Sequence, residues 1–330
     1  MHRLGATSLR LARSSAKRYR GQRSGFSATA SGEGRASTAG STADDANADT
    51  HFGFQQVPSG SKKGMVKGVF SSVAHNYDVM NDLMSAGMHR LWKDEFVSML
   101  GISPGCDAGS PPPKVLDVAG GTGDIAFRMA DQLRPYIDGS GGPVDEEDNL
   151  EEGADDGVPL LTVSDINPDM LEVGKQRAAD RFPTETLDSM RFVQADAEAL
   201  PFGDDSFHLY TIAFGLRNVT NIDKALREAH RVLKPGGRFM CLEFSHVPIE
   251  PLQKAYDWYS FNVIPTIGQV VAKDKDAYQY LVESIRMFPE QHELEERMAS
   301  AGFGMVSHTN LTAGVVAVHS GFKMPSRRKS

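Results

Sequence analysis

The run VLDVAGGTGD, residues 115–124, places Gly120, Gly121 and Gly123 between two acids, Asp117 and Asp124. Glycine lets the backbone come close to a ligand, and a helix starting just beyond the turn adds free N–H donors. Such a turn suits a dinucleotide as well as S-adenosyl-L-methionine. The spacing A-G-G-T-G does not meet the dinucleotide pattern G-x-G-x-x-G. Carboxylates also suit a cationic sulfonium and ammonium better than a pyrophosphate. Asp165, in SDINPDM, can accept from both hydroxyls of a ribose, with capping of the helix near Pro168 as its structural alternative. Asp196 and Ala197, in QADAEALPF, can bond an adenine amine and leave room for its ring; a plain loop aspartate is the alternative. Together the three stretches favour S-adenosyl-L-methionine.

These loops need strands to carry them. Short apolar runs at Lys114–Val118, Leu160–Ser164, Met190–Gln194, Phe207–Ala213 and Arg238–Glu243 read as strands, with helices over Ile125–Leu133, Asp169–Arg181 and Ile222–Leu233. Alternating strands and helices predict a doubly wound parallel sheet with helices on both faces. Gly304–Asn310 and Gly314–Ser320 read as a closing antiparallel hairpin. Ligands in such sheets bind beyond the carboxyl ends of the strands, where the three stretches fall.

The net charge of −8 is unevenly spread. Residues 1–43 carry eight Lys/Arg against one acid, Glu33, in a Ser/Ala-rich context with Leu4, Leu9 and Leu11 available for one helical face. That composition predicts a transit peptide, with a disordered basic start as the alternative. Residues 44–60 read as a linker and 61–325 as the catalytic domain. Within that domain the stretch 138–157 holds nine acids and no base, and reads as a solvated loop insertion. An acidic domain argues against a nucleic-acid partner. Cys106 and Cys241, the two cysteines, suggest neither a disulfide framework nor a thiolate metal site, and no metal is expected. No run approaches the roughly 20 apolar residues of a membrane span.

Several longer stretches carry a resemblance: HFGFQQV (51–57), NYDVMNDLMSAGMHRLWKD (76–94), VLDVAGGTGD, DINPDMLEVGKQRA (165–178), FGLRNV (214–219), EAHRVLKPGGRF (228–239), LEFS (242–245), YQYLVESI (278–285) and HSGF (319–322). With these motifs the chain resembles the ubiquinone/menaquinone biosynthesis C-methyltransferases, from His51 to Phe322. HRVLKPGG occurs in many methyltransferases, whereas NYDVMND, GLRNV and LEFS are more specific. The resemblance implies a class I methyltransferase, Rossmann-like, with a seven-stranded mostly parallel sheet. It implies cofactor contacts at Gly121, Thr122, Asp165, Asp196 and Ala197. Ala213 stands where some members carry a serine, and His208 where an acid is common.

The implied reaction is methylation of a ring carbon of a methoxy-polyprenyl-benzoquinol, which must be the reduced quinol because the quinone is a poor nucleophile. Arg217 and Asn218, just past the fourth strand, are expected to face the methyl group, Arg217 favouring the developing phenolate and orienting water and Asn218 fixing a ring oxygen. Tyr77 is a candidate substrate contact on a segment that could lid the site, against packing on the sheet. His89 and His246 are alternative proton acceptors, with structural roles the ordinary expectation for a lone histidine. The apolar stretch from Tyr256 to Val271 offers a tail groove, a membrane-facing patch, a homodimer interface or core packing. The resemblance further implies a peripheral protein on the matrix side of the mitochondrial inner membrane, in a multi-subunit complex with other ubiquinone-biosynthesis proteins. Two rival readings stay open: a scaffold that keeps the fold without the chemistry, and a methyltransferase for a soluble phenol or amine.

Overall fold

The computed structural model describes residues 49–73, 81–82, 85, 87–102, 112–138, 159–267, 269 and 275–325, all within one compact unit. The basic start, Tyr77 and the acidic insertion at 139–157 lie outside the described residues.

A seven-stranded sheet has the order β5-β4-β3-β6-β7-β9-β8, built from β3 (Val115–Val118), β4 (Leu161–Asp165), β5 (Met190–Gln194), β6 (Phe207–Ala213), β7 (Leu233–Phe244), β8 (Phe303–Leu311) and β9 (Val316–Lys323). The first five run parallel, and β9 pairs antiparallel with both β7 and β8. This is the expected sheet with its closing hairpin. The direction of winding reverses between β3 and β6, which puts the cofactor loops at the switch point.

Alternate residues of each strand feed two cores. Val115, Val163, Leu209, Met240 and Leu242 pack under α2 (Met88–Ser98), α3 (Asp124–Ile137), α4 (Pro168–Arg181) and α9 (Lys275–Arg286). Leu116, Val118, Tyr210, Ile212 and Cys241 pack under α6 (Ile222–Val232) and α10 (Gln291–Ser300). Helix α6 shows why: Ala225, Leu226, Ala229 and Val232 recur at helical spacing and are fully buried, and Asn221 caps the start by accepting from the Lys224 N–H. The remaining helices are α1 (Ser59–Val73), α5 (Thr184–Asp188), α7 (Glu250–Asn262) and α8 (Ile264–Ile267).

One expected boundary is corrected. Residues 49–58 fall in the stretch read as linker, yet β1 (Asp49–Phe52) and β2 (Gln55–Pro58) form an antiparallel hairpin, and α1 starts at Ser59. The reason is tertiary. Phe52 stacks on Tyr280 of α9 with ring centroids 4.1 Å apart, the Phe54 N–H donates to Glu283, and the Thr50 hydroxyl donates to the Thr220 carbonyl.

Candidate active site

A hollow of about 1080 Å3 opens at the carboxyl ends of β3, β4, β5 and β6. Its walls include Gly121, Thr122, Asp165, Asp196, Ala197 and Asn218, so six residues from four separate stretches of sequence meet in one place. The glycine turn explains the close fit. A Cβ at Gly120 would come within 2.6 Å of Val163 Cγ1 and 2.8 Å of Asp117 Oδ2, and Gly121 has a φ of +53°. Neither position admits a side chain without displacement or strain.

Asp165 ends β4 and is held by the backbone around it. Its Oδ2 accepts from the Gly121 N–H at 3.0 Å and its Oδ1 from the Asn167 N–H at 2.8 Å. It is not the helix cap; Asn167 is, accepting from the Asp169 and Met170 N–H groups. Burial pushes the Asp165 carboxyl up to about 6, against the pull of those N–H donors.

Asp117 lies deeper, with no exposed surface. Its Oδ1 accepts from the Thr211 hydroxyl at 2.7 Å, while Oδ2 is buried with no partner among the described residues. Burial raises its carboxyl to about 7; the Thr211 bond opposes the rise, and the neighbouring charges of Asp165 and Asp124 add to it. A buried acid with an unsatisfied oxygen, close to a second raised acid, suits a positively charged ligand. The residues therefore fit a sulfonium cofactor: Asp165 would accept from ribose hydroxyls, Asp117 would supply negative potential, and Asp196 with Ala197 would frame an adenine.

Asp124 also lines the hollow, but its charge is balanced by two cations. Burial would raise its carboxyl, but Lys93 at 2.6 Å and Arg128 bond to it and hold it below the ordinary range. It acts as an anchor between α2 and α3. Asp196 is likewise engaged, accepting from Lys63 of α1 at 2.6 Å and from the Glu198 N–H at 2.9 Å. Residue reasoning at these loops missed Lys63, Lys93 and Phe70 of the wall, because they lie on helices that precede the first strand of the main sheet and only the fold brings them to the loops.

Arg217 and Asn218 separate. Asn218 faces the cofactor hollow, whereas Arg217 does not line it. The Arg217 side chain is 3% exposed and Nη1 meets Glu243 Oε1 at 2.8 Å, with a further bond to the Phe214 carbonyl. Burial still keeps the Glu243 carboxyl raised despite that partner. A second hollow, sharing Val219 and Thr220 with the first, is lined by Arg217, Lys62 and Tyr280. The Tyr280 hydroxyl donates to Asn218 Oδ1 at 3.0 Å, which leaves the Asn218 Nδ2 as the donor end of that amide. Lys62 donates to the Val219 carbonyl at 2.9 Å, and burial lowers its ammonium to about 8 against the attraction of Glu198. Glu243 and Tyr280 were present in LEFS and YQYLVESI, and an acid inside an apolar strand was a readable sign of a buried partner.

The two histidines have structural placements. His89 Nε2 bonds Asp82 at 2.9 Å, and burial followed by the nearby Lys93 lowers its ring. His246 Nε2 donates to the Phe288 carbonyl at 3.0 Å. Neither lines the cofactor hollow. His208, at the position where an acid is common, accepts the Lys114 N–H on Nδ1 at 2.9 Å. In the apolar stretch, Ile264 is buried and Tyr259 and Phe261 pack on the core, while Trp258 is 65% exposed.

Comparison with known proteins matches the model of the ubiE/COQ5 methyltransferase family over residues 58–323. The chain is 50% identical over 288 residues to "2-methoxy-6-polyprenyl-1,4-benzoquinol methylase, mitochondrial" of Dictyostelium discoideum, covering 84% of this chain and 87% of that protein. It is 50% identical to the Homo sapiens protein of the same name, covering 84% and 85%. It is 49% identical to "Ubiquinone/menaquinone biosynthesis C-methyltransferase UbiE" of Cereibacter sphaeroides, covering 85% of this chain and 99% of that one. With the glycine turn, the buried acids and Asn218 gathered at the switch point of a seven-stranded sheet, the chain belongs to the ubiE/COQ5 methyltransferase family.

Proposed function

We propose that this chain methylates a ring carbon of a methoxy-polyprenyl-benzoquinol in ubiquinone biosynthesis, using S-adenosyl-L-methionine. The observation that carries the reading is the pairing of two hollows across the shared Val219–Thr220 wall: acids, glycines and Asn218 on one side, Arg217 and Tyr280 on the other. The acceptor's identity is taken from the relatives named above. S-adenosyl-L-methionine supplies an electrophilic methyl group on a positively charged sulfur.

The chain's own residues then divide the work. Asp165, Asp117, Asp196 and the glycine turn orient that donor and favour its charge. Asn218, its amide direction set by Tyr280, donates from Nδ2 to a ring oxygen of the quinol. Arg217 favours the phenolate and orients water from the second hollow, with Glu243 fixing its guanidinium. Arg217 is not a base, since its pKa exceeds about 12. Tyr77 retains its assignment as an acceptor contact.

The exposed Ile249, Leu252 and Trp258, at and along α7, support peripheral attachment to a membrane, with a homodimer or a complex of ubiquinone-pathway proteins as further uses of that face. No helix among the described residues is long and apolar enough to cross a membrane. Residues 1–43 are assigned as a mitochondrial transit peptide, 49–325 as the catalytic domain with the insertion at 138–157, and the matrix side of the inner membrane as the location.

Mass spectrometry of quinones in cells lacking the gene tests the assignment: the demethylated intermediate should accumulate, and an unchanged quinone profile refutes it. Full activity on a tail-less phenol with no affinity for liposomes would favour a soluble acceptor. Arg217→Ala should reduce single-turnover rate far more than calorimetric cofactor affinity; an equal loss of both removes its assigned role.

A further inference from the structure

Outside the lining of these hollows, two histidines and a glutamate converge where α10 meets the edge strand β8. His292 and Glu295 lie in the first turns of α10, three residues apart and so on one face of the helix. His308 lies on β8. His292 Nδ1 is 2.9 Å from Glu295 Oε2, and His308 Nδ1 is 2.8 Å from Glu295 Oε1. All three donor atoms fall within 4.8 Å of one another, and the two imidazole rings stand nearly perpendicular, at 81°, with centroids 5.1 Å apart.

We propose that His292, Glu295 and His308 form a binding site for a divalent transition-metal ion of the zinc type, independent of the methyltransferase reaction. Two imidazoles with one carboxylate match the donor preference of zinc, nickel or copper rather than magnesium or calcium, which take oxygen donors. Donor atoms around a tetrahedral zinc lie about 3.3–3.6 Å apart given metal–ligand distances of about 2.0–2.2 Å. The two imidazole–carboxylate separations, 2.9 and 2.8 Å, are hydrogen-bond lengths that need open by only about half an ångström to admit an ion. Each ring now uses Nδ1 on a carboxylate oxygen; a metal takes the place of the shared protons, with the imidazoles neutral and the carboxylate ionised.

Support behind the ligands is uneven in a useful way. His308 is 17% and Glu295 22% exposed, so the packing of α10 on β8 holds both, whereas His292 is 85% exposed and leaves the remaining coordination position open to water. His319 stacks behind His308 at 5.6 Å, and its own Nε2 is fixed on the Gln291 carbonyl at 3.1 Å. A bound ion would staple the last helix to the sheet edge, so its effect is expected on stability. None of the three ligands lines either hollow described above.

The test uses the full chain, stripped with a chelator and titrated with zinc by calorimetry and by thermal melting. One equivalent should bind, and saturation should raise the melting temperature by a few degrees. Glu295→Gln and His308→Ala should each weaken binding at least about tenfold. His292→Ala should do the same while melting like the parent in the absence of zinc, because its side chain is largely in solvent; this variant decides the matter if the others fold poorly. No zinc uptake by the parent, or uptake of equal strength in the parent and His292→Ala, overturns the site.

Discussion

Asp117 of β3 and Glu243 of β7 are both fully buried, on strands separated only by β6, yet the fold serves them in opposite ways. Glu243 is supplied with a guanidinium, the Arg217 N–H and the Phe244 N–H. Asp117 receives one hydroxyl and keeps one oxygen without a partner among the described residues. Burying a charge is costly unless it is paired, so the Glu243 carboxylate is matched from within the fold, with only Arg217 Nε left unpartnered among the described residues, whereas Asp117 keeps a carboxylate oxygen open to something positive. On the function proposed above, the difference separates a residue that would hold the acceptor side in shape from one that would draw in the cofactor.

The comparison breaks most visibly at Glu243. Glu243→Ala leaves Arg217 buried without its partner and should cost about 3–5 kcal/mol, read as a lower chemical-denaturation midpoint. Replacing both partners, Arg217→Met with Glu243→Leu, should restore most of that stability while leaving turnover lost. Recovery of turnover in the double variant would show that the pair is structural alone.

Asp117→Asn should do the reverse. It keeps an acceptor for Thr211 and removes a carboxyl that burial disfavours, so the ligand-free protein should melt at the same temperature or higher. Cofactor affinity should fall by about tenfold, equivalent to about 1.4 kcal/mol. Loss of stability with unchanged affinity would reverse the roles given to the two acids.

Those opposed roles are partly written in the sequence and partly hidden by distance. Strands Met190–Gln194 and Phe207–Ala213 occur at the bounds their sequence suggests, because each is a compact β-prone run between turn residues. Strand β7 begins at Leu233, earlier than Arg238, and passes through Pro235, Gly236 and Gly237 with a shift in its pairing to β6. That the three loops meet at one hollow was legible because each glycine or aspartate stretch follows directly on a β-prone run of a parallel sheet. The hairpin β1–β2 was not, because its strands are four residues each and mostly solvent-facing, and the anchor of Phe54 lies 229 positions away. Arg217 was singled out through its motif, but its partner Glu243 and its place in the second hollow needed the fold.

A pH series sharpens the reading of the cofactor side. Asp165, at about 6, and Asp117, at about 7, both sit above the ordinary 3.8. Between about pH 4 and 7 the ligand-free fold therefore holds more protons than the unfolded chain, and these two groups make it less stable as pH rises through that window. A cationic ligand prefers the ionised acids, so its affinity should climb from pH 5 to pH 7. Calorimetry at several pH values checks the trend; a flat profile in which Asp117→Asn behaves like the parent would deny the acids their part.

The smallest effect belongs to Lys63. Its ammonium bridges Asp196 from a side chain 38% exposed, so Lys63→Ala should change stability by less than about 1 kcal/mol. Cofactor affinity should move by no more than a few-fold, measured by the same calorimetry. A large loss would make Lys63 a direct contact.

The crowding at Gly120 ties the history of two positions together. Val163 stands on the adjacent strand and presses on the place where a Cβ would be, so the freedom of the turn to vary is set from outside it. Any lineage that acquires a side chain at 120 must first, or at once, trim the residue at 163 and find a new seat for the Asp117 carboxylate. The two sites are thus expected to mutate as partners, and a genetic screen for suppressors of Gly120→Ala should be looked for on β4 before it is looked for in the loop.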